Sequence, residues 1–171
     1  MGSTSKTFWG GLRVGWVRAD AALVRRLTLR RAMEDLGSPL VEQLATTHLL
    51  ADVDAVLAAR RPVLAERAAG LAAAIARELP GWSALVPAGG LVLWCRLPVP
   101  SSSAFAAAAR SVGVVVTPGP RFGVDGAFES RLRLPFSRPL PELEAAVSRL
   151  APAWLGLAGG AEAADEDLLV V

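Results

Sequence analysis

The sequence predicts an α+β fold, an antiparallel or mixed sheet with helices packed on one face. Three observations carry that prediction. Apolar residues recur at helical spacing through the first half of the chain; the period changes to two between Leu91 and Leu97; beyond that, short apolar runs alternate with two further helical patterns. With 171 residues, 53% of them hydrophobic and 20% charged, the chain has about one domain's length and enough apolar material for a core. Its 16 Gly and 12 Pro follow no repeat period, which excludes collagen-like and low-complexity classes as well as disorder.

Taken in order, Leu12 to Val17 alternates between glycines and predicts a short strand. Asp20 reads as the N-cap of a helix whose stripe is Leu23, Val24, Leu27, Met33 and Leu36, with Gly37 as its left-handed stop. Ser38 and Pro39 read as a second cap with proline at the first helical position, opening a helix through Val41, Leu44, Ala45 and Leu49. A third helix starts near Asp52, has a kink point at Pro62, and places Leu64, Ala68, Leu71, Ile75 and Leu79 on one face before Pro80-Gly81 ends it. Leu91, Leu93, Cys95 and Leu97 then alternate as a hairpin strand, which makes Cys95 an inert strand residue rather than a nucleophile. Ser101 to Ser103 cap an Ala-rich helix to about Arg110, followed by a strand at Val114–Val116, a Gly/Pro loop to Phe128, a strand at Arg131–Phe136 and a helix from about Pro141 to Trp154. From Gly159 the chain is small-residue and acidic, a frayed tail.

The formal net charge of +2 gives no general pull toward nucleic acid or an anionic membrane. Arg25, Arg26, Arg30 and Arg31 concentrate positive charge near the start, and they read as a solvated helix face. One cysteine excludes an internal disulfide and fits a reducing cytosol. With one histidine besides, it also excludes a structural zinc site. The lone His48 has no locally spaced carboxylate or thiol partner. Met1 to Thr7 lacks the order of a signal peptide and no apolar run reaches membrane-spanning length, so the expectation is a cytoplasmic chain without a membrane partner. A mean hydropathy of +0.41 is high for a soluble monomer and points to surface that is normally covered.

The densest group of chemically useful residues is Gly2-Ser3-Thr4-Ser5-Lys6 followed by Gly10-Gly11-Leu12-Arg13-Val14-Gly15-Trp16. Hydroxyls, a guanidinium fork and bare glycine backbone suit a phosphate, and an adjacent amine suits imine formation with an aldehyde. An ordinary polar turn is the alternative. It is not a nucleotide-binding Walker loop, because the lysine precedes the glycines.

The string Gly2–Trp16 resembles the lysine-bearing segment of fold-type I pyridoxal-phosphate enzymes of aminotransferase class I/II, with Ser-x-x-Lys followed by Gly-x-Arg-x-Gly. It is closest in look to the aminotransferase-like domain of MocR-type regulators in the GntR family and to 2-aminoadipate-type aminotransferases. Two later segments agree in order. Gly89–Pro98 resembles that family's Gly-Gly-x-x-x-Trp-x-x-Leu-Pro hairpin, and Thr117–Ser137 resembles its Pro-Gly-x-x-Phe loop leading to an Arg-Leu strand.

The resemblance implies the C-terminal small domain of a fold-type I transferase plus the last part of its large domain. Residues 1–50 would be the large-domain remnant, 51–157 the small domain and 158–171 an acidic flexible tail. It implies pyridoxal 5'-phosphate as cofactor and transfer of an amino group between an amino acid and a keto acid. Lys6 would form the Schiff base and move the proton at the substrate α-carbon, Ser3 and Arg13 would hold the phosphate, and Arg133 would grip the substrate carboxylate. For Arg133 the alternative is a strand residue whose head is solvated or paired to Glu129. Ser5 and Arg121 are weaker candidates for ligand contact, and Trp9 and Trp16 read as packing.

The sequence also departs from the family pattern. Five residues precede Lys6, so the acidic partner of the pyridine nitrogen, the ring-stacking aromatic and the helix-turn-helix of a MocR-type protein do not lie in it. Gly10 stands where the family has proline, and the chain contains no tyrosine. Three functions stay open: part of an aminotransferase, inactive as a fragment alone; the effector domain of a regulator that reads DNA through an N-terminal domain and senses cofactor or an amino compound; or a cofactor-free interaction module. The family resemblance implies a homodimer.

Overall fold

A computed structural model of the chain describes residues 1–35 and 37–166, with side chains to residue 157. Leu36 of the predicted stripe and the side chains of the acidic tail lie outside the described residues. The chain divides into two compact units, Met1–Arg61 and Pro62 onward.

In the first unit β1 (Gly2–Ser3) pairs antiparallel with β2 (Gly15–Trp16), and the chain between them forms α1 (Thr4–Thr7) and a 3-10 turn at Gly10–Leu12. The expected strand over Leu12–Val17 is therefore cut to two residues. Leu12 is drawn into the 3-10 turn and Arg13 takes a left-handed backbone (φ 53°), which breaks the extended run before Gly15. Asp20 caps α2 (Ala21–Arg31) as expected, its carboxylate accepting from the Leu23 N–H at 2.9 Å. α3 (Leu40–Ala51) has Pro39, not Ser38, at its N-cap. The Ser38 hydroxyl is engaged elsewhere, 2.7 Å from the Arg31 guanidinium. Arg31 also pairs with Asp35 at 3.1 Å, and the guanidinium holds the Asp35 carboxyl below its usual range. Gly37 adopts the positive φ expected of it. Asp52 ends α3, and the next helix, α4 (Val53–Glu78), runs through Pro62.

In the second unit, β3 (Ser83–Leu85), β4 (Val92–Arg96), β5 (Thr117–Pro118) and β6 (Arg131–Pro135) form one sheet in the order β3-β4-β6-β5, antiparallel throughout. The register sets Leu93 against Leu134 and Cys95 against Leu132, so one face carries the predicted alternation and is buried. It joins a single core with Leu71 and Ile75 of α4, Phe105 of α5 (Ser102–Ser111), and Val147, Leu150 and Trp154 of α6 (Leu140–Glu166). Trp82, Phe105 and Trp154 meet edge to face with centroids 5.1–5.6 Å apart. β3 was not expected from the sequence, and the run at Val114–Val116 leads into β5 two or three residues later than predicted. A proline in β5 is tolerated because that strand lies at the sheet edge. α6 is carried well past Trp154, to Glu166. Among the described residues no helix is long and apolar enough to cross a membrane.

Candidate functional site

The loop that carries Lys6 is held at its base by backbone. β1 and β2 pair through Gly2 with Trp16 and Ser3 with Gly15. Thr4, fully buried, donates both its N–H (3.0 Å) and its hydroxyl (2.8 Å) to the Val14 carbonyl. Two glycines here are crowded: a Cβ on Gly2 would run into the Trp16 ring, and one on Gly15 would lie 3.1 Å from the Gly2 carbonyl oxygen, close enough that the backbone would have to give slightly. Ser3 is the N-cap of α1, its hydroxyl accepting from the Ser5 N–H at 3.2 Å. Lys6 lies in the last turn of α1, exposed, and makes no hydrogen bond or ion pair among the described residues. Arg13 is exposed, with one long hydrogen bond of 3.4 Å to the Gly10 carbonyl. Ser3, Lys6 and Arg13 thus belong to one short loop closed by a two-residue ladder. Its donor set, a hydroxyl, an amine and a guanidinium on closely packed glycine backbone, fits a phosphate-bearing aldehyde.

Arg133 belongs to the second unit. It stands on β6, on the sheet face opposite the core, between Trp94 of β4 and Thr117 of β5 in the register. The expected alternative partner, Glu129, is occupied. Its carboxylate accepts from the N–H and hydroxyl of Ser103 at 2.7 and 2.9 Å and caps α5. Among the described residues Arg133 has no ion pair; its guanidinium carbon lies 5.7 Å from the centroid of the Phe122 ring. Arg96 and Arg131 share this face, and neither β4 nor β6 carries a carboxylate. Arg121 is exposed, and Ser5 is half-buried. Sequence reasoning missed Thr4, whose role depends on an acceptor ten residues away, and the aromatic surroundings of Arg133. Trp94 had a legible signal, since it has the opposite parity to Leu93 and Cys95 and so must face away from the core.

A family model described as aminotransferase class I and II matches residues 1–150. The chain belongs to that family. Aminotransferases of this class are pyridoxal-phosphate-dependent fold-type I proteins, and the mixed α+β architecture agrees with a portion of that fold. A 2-aminoadipate transaminase from Thermus thermophilus is 30% identical over 140 residues, which are 80% of this chain and 35% of that protein. An LL-diaminopimelate aminotransferase from Oleidesulfovibrio alaskensis is 33% identical over 143 residues, 82% of this chain and 36% of that one. The structure is also similar to that of LysN, an α-aminoadipate aminotransferase of Thermus thermophilus crystallised with N-(5'-phosphopyridoxyl)-L-leucine. The TM-score is 0.86 at 30% identity, over 92% of this chain and 42% of that one. The chain therefore spans a little over a third of the length of the curated relatives it matches.

Proposed function

We propose that this chain supplies the lysine loop and the carboxylate-binding strand of a pyridoxal-phosphate aminotransferase that moves an amino group between an amino acid and a 2-oxo acid. The observation that carries the reading is the loop itself, with Ser3 in the β1–β2 ladder, Lys6 and Arg13 between its strands, and the Lys6 amine without a hydrogen bond or ion pair among the described residues. When bound, pyridoxal 5'-phosphate supplies an aldehyde that condenses with amines and a ring that draws electron density from the substrate α-carbon. The Ser3 hydroxyl and the Arg13 guanidinium bind its phosphate. Lys6 would be the amine that bonds the cofactor's aldehyde carbon, and its amino group would accept and return the proton at the substrate α-carbon. Arg133 offers two parallel N–H donors to the substrate carboxylate and sets the orientation of the α-carbon. The active assembly is a homodimer.

The test is to mix the chain with pyridoxal 5'-phosphate, reduce with borohydride and map the adduct by mass spectrometry. Label on Lys6, lost in Lys6→Arg, is expected. Absence of label from Lys6, in this chain and in a version extended upstream, would sink the reading and leave a cofactor-free interaction module.

A second reading makes the whole protein a MocR-type regulator that uses the same residues to sense the cofactor or an amino compound. It rests on the resemblance of the Gly2–Trp16 segment to the aminotransferase-like domain of such regulators. Operator binding without turnover of an amino donor and a 2-oxo acid would select it, and robust transamination without operator binding would remove it.

A further inference from the structure

The face of the sheet opposite the core carries an aromatic cluster around Arg133. Phe122 and Phe128 both approach Trp94 edge-on, with centroids 5.6 and 5.8 Å away and planes at 83° and 77°. Both phenylalanines come from one loop, Gly119–Ser130, and that loop is built under constraint. Phe128 has a left-handed backbone (φ 68°), which is costly for an aromatic residue and is kept only where surroundings over-determine it. Gly119 has no room for a side chain, because a Cβ there would meet the Phe128 carbonyl, and a Cβ on Gly123 would press on the Phe128 ring at 2.9 Å. The buried core does not use these rings, since it closes on the other face of β4 and β6. What the loop delivers is the Phe122 ring beside the Arg133 guanidinium.

We propose that Phe122 is a positioning residue for Arg133: its ring supports one face of the guanidinium, Trp94 holds that ring in place, and the Arg133 donors are thereby presented in one plane. Bidentate recognition of a carboxylate needs such a fixed plane, and a long, half-buried side chain without a hydrogen-bond partner among the described residues does not have one by itself. Arg96 and Arg131 share that face, so neither strand offers Arg133 a carboxylate that could fix its head there. The carboxylate part of this inference rests on the reading of Arg133 given above; the positioning part does not.

The experiment uses the full 171-residue chain labelled with nitrogen-15. The Arg133 Nε–H resonance is assigned by its loss in Arg133→Lys, its order is read from the heteronuclear Overhauser effect, and 2-oxoglutarate is titrated as the carboxylate probe. In Phe122→Leu the resonance is expected to lose its ring-current displacement and become mobile, and half-saturation by 2-oxoglutarate to rise about threefold, the size of an exposed cation–π contact. Phe122→Tyr restores both. Should Phe122→Leu unfold the sheet, Phe122→Met keeps the apolar cover and reads the same signal. An Arg133 resonance as ordered without the ring as with it would overturn the positioning role. An ordered Arg133 in the parent chain that ignores 2-oxoglutarate, yet loosens in Phe122→Leu, would overturn the carboxylate reading and uphold the positioning.

Discussion

Cys95 is fully buried on β4, and its burial pushes the thiol up to about 12 from an ordinary value of 9.0. A thiol in that state is neither nucleophile nor metal ligand at neutral pH, which agrees with its reading as a strand residue. Iodoacetamide at pH 8 should leave the native chain unmodified and add one group per chain in guanidinium, as measured by intact mass. The folded state keeps the proton where the unfolded state gives it up. The thiol's contribution to stability is therefore complete below about pH 9 and is lost as pH rises toward 12, so alkaline melting curves should shift down in that window and shift less in Cys95→Ala. Lys6, Ser3 and Arg13 could be put forward as a set from the sequence because the chemistry they imply is compressed into eleven residues. The setting of Arg133 was not, because Phe122 reaches it only through a bend that depends on a left-handed phenylalanine and a glycine with no space beside it.

Among the elements, α5 illustrates why local sequence signals stop short. Three consecutive serines mark its start, yet Ser101 at the N-cap makes no side-chain hydrogen bond, and the donors of Ser103 in the first turn go to Glu129, 26 residues beyond Ser103. The Glu129 carbonyl takes the Ser102 N–H at 2.9 Å, while the buried Ser102 hydroxyl accepts from the Gly119 N–H at 3.3 Å. The serine run thus helps fasten the 119–130 loop to the helix. Ser102→Ala leaves a buried N–H without an acceptor and should cost about 1–3 kcal/mol in urea unfolding. Ser101→Ala removes a buried hydroxyl that has no partner among the described residues, so its midpoint should hold or rise. The strands follow the same division. β4 and β6 were readable because one face is buried and forces alternation. β3 was not, because it is three residues long and its Leu85 is 84% exposed, so no alternation marks it.

At the scale of the molecule, apolar burial is uneven. In Met1–Arg61 the buried residues among those described are Thr4, Leu12 and Thr46, while Leu27, Leu29, Val41 and Leu44 are exposed on α2 and α3. The high mean hydropathy thus has a place in the structure: much of the apolar content of the first unit faces outward. α2 has eleven residues and buries none of them, and a helix of that length is marginal in water without packing. Hydrogen exchange should find its amides near the unprotected rate while those of β4 and β6 open only with global unfolding. Equal protection of α2 and β4 would mean that a second surface covers the first unit in solution.

The core of the second unit is completed by the last helix. Val147, Leu150 and Trp154 of α6 share one buried cluster with Leu93 and Leu132 of the sheet. During synthesis the strands are therefore complete before the helix that finishes their core, with only α4 and α5 available to cover that face until α6 follows. A pause in translation between β6 and α6 would lengthen the time for which the part of the apolar face that Val147, Leu150 and Trp154 cover stays open to solvent.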